Sequence, residues 1–266
     1  MDINVILLFI IGLFFGSLFT KIGYRLPQNV SLFTNSRCNS CNADISFFDK
    51  IPVISFLLLK GRCRNCHHRI SLMYPFFELL TGVIFSLCYL TFIKDSYPVL
   101  TIIFGLLFLS TLIIVTISDI KYMVIPDEVL LFFGMILIIL RIFIMYKNEL
   151  VLSFLDAGYE IIFMIIEAVV MYLIMDLIKR IGDIVLRKYS LGQGDVKLMA
   201  FIAMIMGWRL CIAIIFIASF FALPISIIRA YKKSEQMLPF GPYIALAAII
   251  LFLININFDT LISYIH

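Results

Sequence analysis

Apolar residues along this chain come in long unbroken runs, not in the alternation of a half-buried strand. The stretch from Ile3 to Phe19 holds no charged residue. Comparable runs recur at about 75–93, 99–118, 129–146, 158–178, 197–208, 210–228 and 240–257, and the first extends to about 3–20. A helix that crosses a bilayer needs roughly 20 mostly apolar residues. The pattern therefore predicts an all-α polytopic membrane protein with about eight transmembrane helices. The sixth run is short. It starts at Gly194-Asp195 and reaches Trp208 in little more than three turns, and such segments line protein interiors rather than lipid. The first run leads into Lys21 and Arg25 without a small-residue cleavage site, so it reads as a span and not as a signal peptide.

Composition agrees. Of 266 residues 63% are hydrophobic and 14% charged, where soluble domains carry about 45–50% and about 25%. That excess has to face lipid. The net charge of +4 does not call for nucleic acid. Its placement is more informative: with the amino terminus outside, the segments 21–74, 119–128, 179–197 and 229–239 lie inside and hold 17 of the 21 Lys and Arg residues. Basic residues concentrate on the cytoplasmic side of membranes, so both termini are expected outside, in a bacterial plasma membrane. The expected organisation is a first transmembrane helix (1–20), a cytoplasmic loop (21–74) and a membrane-embedded domain (75–266). The segment Lys179 to Ser190 reads as a basic loop serving as an inside anchor.

The cytoplasmic loop carries Cys38-Asn39-Ser40-Cys41 and Cys63-Arg64-Asn65-Cys66, two C-x2-C pairs with 21 residues between them. A two-residue spacer lets both thiolates of a pair meet one ion, and two such pairs complete a tetrahedral zinc site. A reducing cytosol disfavours disulfides here. A redox pair or an iron–sulfur cluster uses the same spacing, so both stay open beside structural zinc. A loop of this size with little apolar core needs such a staple. His67 and His68 are read as surface residues, and Cys88 and Cys211 as small buried hydrophobes.

Carboxylates near hydrocarbon are costly and default to function. The candidates are Glu78, Asp119, Asp127, Glu167, Asp176, Asp183 and Asp195. Counting spans puts Asp119, Asp127 and Asp195 at the inner membrane edge. Two carboxyls brought together share a proton, one acting as base on water while the other protonates a carbonyl. That is peptide hydrolysis without metal. Asp127 and Asp195 also stand at helix starts, where an acid favours the dipole. Pro126 is expected to open the fourth span. No His-Glu-x-x-His or Gly-x-Ser-x-Gly set competes.

These residues, taken in order, resemble the prepilin peptidases, the type IV prepilin leader peptidase and N-methyltransferase family of intramembrane-type aspartic proteases. The resemblance covers nearly the whole chain. It rests on Gly16-Ser17, Tyr24-Arg25-Leu26-Pro27, the cysteine quartet, the stretch from Asp49 to Ser55, Lys60 to Cys63, and Tyr74-Pro75 with Glu78. It continues through Asp119 to Asp127 and through Gly192-Gln193-Gly194-Asp195-Val196-Lys197. Where many members carry proline after the first cysteine, Asn39 stands here. The resemblance implies catalytic Asp119 and Asp195, with Gly192, Gly194, Lys197, Asp127 and Glu78 supporting or binding substrate. The spacing itself makes Cys38, Cys41, Cys63 and Cys66 the expected ligands of a structural zinc. The resemblance implies cleavage of prepilin or pseudopilin precursors after a glycine, and methylation of the new amino terminus from S-adenosylmethionine. Acidic residues such as Asp127, Asp183 or Glu78 are expected near the basic leader. Competing readings are a transporter or channel with Glu167 as its deepest acid, a non-catalytic scaffold for pilus assembly, and an intramembrane protease for other substrates.

Overall fold

The computed structural model describes residues 2–38, 40–46, 48–94, 97–147, 154–187, 191–231 and 238–255. Among these the chain is helical, with two isolated β-bridges. Its contacts divide it into two units, 1–98 and 99–266.

In the first unit, α1 (Ile3–Arg25) lies along α3 (Met73–Lys94). Small residues set this approach. A Cβ on Gly12 would come within 2.7 Å of the Gly82 Cα, and one on Gly16 within 2.7 Å of the Glu78 Cα. Close backbone contact of this kind is what holds helices together where lipid removes the hydrophobic driving force. Phe15, Phe19 and Phe85 pack beside it, with ring centroids 5.7–6.3 Å apart. Between the two helices the cysteine loop carries a short helix, α2 (Ile54–Leu58).

The second unit contains α4 (Val99–Tyr122), α5 (Asp127–Lys147), α6 (Phe154–Leu186), α7 (Gln193–Met206), α8 (Trp208–Tyr231) and α9 (Gly241–Leu253). Packing is densest on α4, where Phe108, Leu109, Leu112 and Ile114 are fully buried. It contacts α5 and α9, while α7 packs on α6, α8 and α9. Outward faces of α5, α6 and α8 are apolar and exposed, as for Leu131, Ile139, Phe163, Leu173, Phe216 and Phe220. Such a surface suits lipid, not water.

A helix stands at each of the eight predicted runs. Six of them (α1, α3, α4, α5, α6 and α8) are long and apolar enough to cross a membrane. The other two, α7 and α9, have 14 and 13 residues. Two expectations need correction. Pro126 does not begin the fourth run: α5 starts at Asp127, after a turn in which the Ser118 hydroxyl donates to the Val124 carbonyl at 2.6 Å. The stretch after position 178 is helix through Leu186 rather than loop, because Ile181, Ile184 and Val185 keep a helical spacing among its charges. Lys188 to Ser190 lie outside the described residues.

Candidate active site and metal centre

The four cysteines of the first unit converge. Their Sγ atoms all lie within 4.8 Å of one another. Each pair sits on the same knuckle. The Cys38 N–H donates to Ala43 and the Asn42 N–H to Cys38, and Cys63, His68 and His67 repeat the arrangement. Asn42 and His67 turn the chain at φ 55° and 56°. His67 and His68 are exposed, as expected of surface residues. The Cys38 and Cys66 sulfurs are 3.7 Å apart. A tetrahedron with metal–sulfur bonds of about 2.3 Å has an edge of about 3.8 Å, so the donor set fits zinc. Its charges point the same way. The N–H groups of Cys41 and Ser40 hold the Cys38 thiol down at about 6. The His68 N–H favours the Cys66 thiolate, but desolvation and the other three sulfurs outweigh it and push that thiol up to about 12. Four cysteine sulfurs this close form a possible metal site, where a cation would let the thiols ionise together.

Side chains from the flanking motifs tether the loop. The Arg25 guanidinium donates to the carbonyls of Ser31, Thr34 and Asn35 at 2.8–3.2 Å, bracing the approach to the first knuckle. Arg64 grips Asp49 in a two-pronged pair of 2.6 and 3.0 Å, which holds the Asp49 carboxyl below its usual range. Glu78 is buried in α3 and accepts the Val53 N–H at 2.7 Å and a bond from the Ser17 hydroxyl. Val53 has φ 59°, unfavourable for a β-branched residue. Glu78 therefore latches a strained turn of the loop onto α1 and α3.

In the second unit Asp119 ends α4 and Asp195 is the third residue of α7. Both are buried, at 5% and 7% exposure. Ile125 joins their motifs. A Cβ on Gly194 would meet Ile125 at 3.1 Å, and one on Gly241 would meet Ile125 at 3.4 Å and the Asp119 Oδ2 at 2.6 Å. Asp195 reaches back to the Gly192 N–H at 3.3 Å, the acidic half of a capping box. Gly192 leaves room for that carboxylate, since a Cβ there would lie 3.1 Å from its Oδ2. The two glycines thus spend their bare Cα atoms on packing within the protein. Gln193 ties the same turn to α6 through Lys179 at 2.5 Å and Tyr172 at 3.0 Å. Lys197 and Asp127 form a half-exposed ion pair of 2.6 Å. Glu78 belongs to the first unit. Gly241 was absent from the sequence expectations. Its one signal was a Phe-Gly-Pro sequence before an apolar run.

Glu167, expected as the deepest acid, accepts the Trp208 N–H at the start of α8 at 2.5 Å. Arg141 donates to the Ile205 carbonyl at the end of α7 at 3.4 Å. A cavity of about 360 Å³ adjoins them. Acid at a helix start and base at a helix end are capping positions, which accounts for both charges without an ion pathway.

Comparison with known proteins agrees with this division. Residues 10–92 match the Bacterial Peptidase A24 N-terminal domain, and residues 106–227 match the Type IV leader peptidase family. One match falls in each unit. A prepilin leader peptidase/N-methyltransferase of Bacillus subtilis (strain 168) is 32% identical over 268 residues, covering 97% of this chain and 96% of the relative. The protein of that name from Pectobacterium carotovorum subsp. carotovorum is 28% identical over 92% of this chain and 91% of its own. That from Klebsiella pneumoniae is 32% identical over 76% and 85%. No solved structure matches the chain.

Proposed function

Since this chain belongs to the prepilin leader peptidase/N-methyltransferase family, we propose that it cleaves the leader from type IV prepilin-like or pseudopilin precursors, using Asp119 and Asp195. The observation that carries this reading is that two buried carboxyls from distant motifs, in the last turn of α4 and the first turn of α7, lie on segments that pack together around Ile125. Two such groups do not both ionise readily. One, as carboxylate, takes a proton from water. The other, as acid, gives a proton to the oxygen of the scissile carbonyl as water attacks. The proton then passes to the leaving amine. Gly192 and Gly194 support the pair by letting the two motifs close on each other. Asp127 holds Lys197, which keeps that ammonium from the basic leader.

Zinc held by Cys38, Cys41, Cys63 and Cys66 shapes the loop and takes no part in cleavage. We also propose methyl transfer from S-adenosylmethionine to the new amino terminus. The names of the relatives and the presence of the cysteine loop support it, and no residue is assigned to that cofactor. The charge pattern supports a bacterial plasma-membrane location with both termini outside and the aspartates at the cytoplasmic face.

The test is to incubate the purified protein in detergent with a prepilin, with and without S-adenosylmethionine, and weigh the products. Cleavage after the glycine is expected, with a gain of about 14 Da on the mature chain when the methyl donor is present. Several folded precursors left intact would count against the peptidase.

A further inference from the structure

We propose that the Phe240-Gly241-Pro242 turn opening α9 is the third wall of the aspartate centre, with Gly241 as the positioning residue for the Asp119 carboxyl. The inference rests on the aspartate-pair reading and adds a third element to it. Gly241 is not in the left-handed region that only glycine adopts comfortably, so a positive φ is not what selects glycine there. Pro242 disfavours a Cβ on the residue before it in helical backbone, and the space at 241 is closed as well. A Cβ there would stand 2.6 Å from the Asp119 Oδ2 and 3.2 Å from its Cγ. The obstacle is not the loose end of a surface side chain. It is a carboxyl on a residue 5% exposed.

The donors of the helix start lead to the same place. A helix leaves its first N–H groups without partners inside the helix. In α9, Pro242 has no N–H. The N–H groups of Tyr243 and Ile244 are already spent on the Phe240 carbonyl, at 3.1 and 3.2 Å. Gly241 keeps the remaining donor, and it lies beside the Asp119 carboxyl that packs against its Cα. The Oδ2 against its Cα is buried and accepts no hydrogen bond among the described residues. The unbonded oxygen stays available for water or a proton, with the Gly241 N–H beside the group. Glycine at 241 permits both.

The experiment is Gly241→Ala, measured for kcat and KM of prepilin cleavage and for thermal unfolding in detergent. Gly158→Ala is the control, because no atom lies within 4 Å of its added Cβ. A displaced catalytic group costs on the order of 100-fold. The expected result is a kcat loss of about that size with KM within about threefold, while the control cleaves normally. If Gly241→Ala lowers the unfolding midpoint, the same substitution is repeated in an Asp119→Ala background. A clash with the carboxyl predicts that the loss vanishes there. Normal kcat, a defect confined to KM, or equal destabilisation in both backgrounds would each overturn the proposal. Asp119→Asn and Asp195→Asn run beside it: if either still cuts, the aspartate-pair reading has failed instead.

Discussion

At the scale of single residues, Asp119 and Asp195 are the two buried acids of the second unit among the described residues. Asp127 has Lys197 and Asp176 has Arg180, each pair partly exposed. Asp195 accepts the Gly192 N–H, and Asp119 lies against Gly241. Asp119→Asn and Asp195→Asn keep the volume and remove the shared proton. Each is expected to lower cleavage by at least about a thousandfold, the scale of loss when one member of a catalytic set is removed. Insertion and unfolding midpoint should stay near those of the parent. Retention of more than a tenth of the parent rate would remove that residue from the mechanism. Both aspartates were legible in the sequence, because charge is rare in apolar chain. Gly241 was not. Its meaning comes from a contact with Asp119, far away in sequence, and nothing local separates it from an ordinary helix start.

Whole elements were legible wherever apolar runs decide them, and less so where function needs irregular backbone. The knuckles could be read from cysteine spacing alone, but the latch beneath them could not. It needs Glu78 of α3, the N–H of a strained Val53, and Gly16 allowing α1 to approach Glu78. Likewise α6 runs past the point where its charges suggested a loop, since charge at a helix end marks the water boundary and not the end of the helix. If zinc staples the cysteine loop, the purified protein should carry one metal ion. Cys38→Ser with Cys63→Ser, or a strong chelator, should remove it. Trypsin should then cut at Lys50, Lys60 or Arg62 at least about tenfold faster, because metal binding supplies folding energy to such loops. Metal loss should also set in on acidification, when protons compete for the thiolates. Elemental analysis beside a proteolysis time course reads both. Unchanged cutting in the metal-free protein would mean that Arg25, Asp49–Arg64 and Glu78 suffice.

For the molecule as a whole, the proposed topology has every second connection face the cytoplasm, and in it α7 and α9 both cross. At about 1.5 Å per residue they reach only about 20 Å, against hydrocarbon about 30 Å thick. Helix α7 escapes this limit by facing protein: eight of its 14 residues are buried. Its far end then lies below the membrane surface, where a bare carbonyl or N–H would cost several kcal/mol. Arg141 and Glu167 stand there, one on the Ile205 carbonyl and one on the Trp208 N–H. Placement itself is checked with a membrane-impermeant maleimide: Val99→Cys should react in intact cells, and Val124→Cys only after permeabilisation. The opposite order would invert the topology. The caps are checked separately. Glu167→Ala strands the Trp208 N–H and is expected to cost about 1–3 kcal/mol, the penalty for a buried donor without a partner. Glu167→Gln keeps an accepting oxygen and should recover most of the lost unfolding midpoint. An ion-carrying carboxylate predicts the reverse, with glutamine stable but as defective as alanine in function. Normal cleavage by folded Glu167→Gln, with stability near the parent, would identify this deep acid as the cap that lets a short helix turn back inside the membrane.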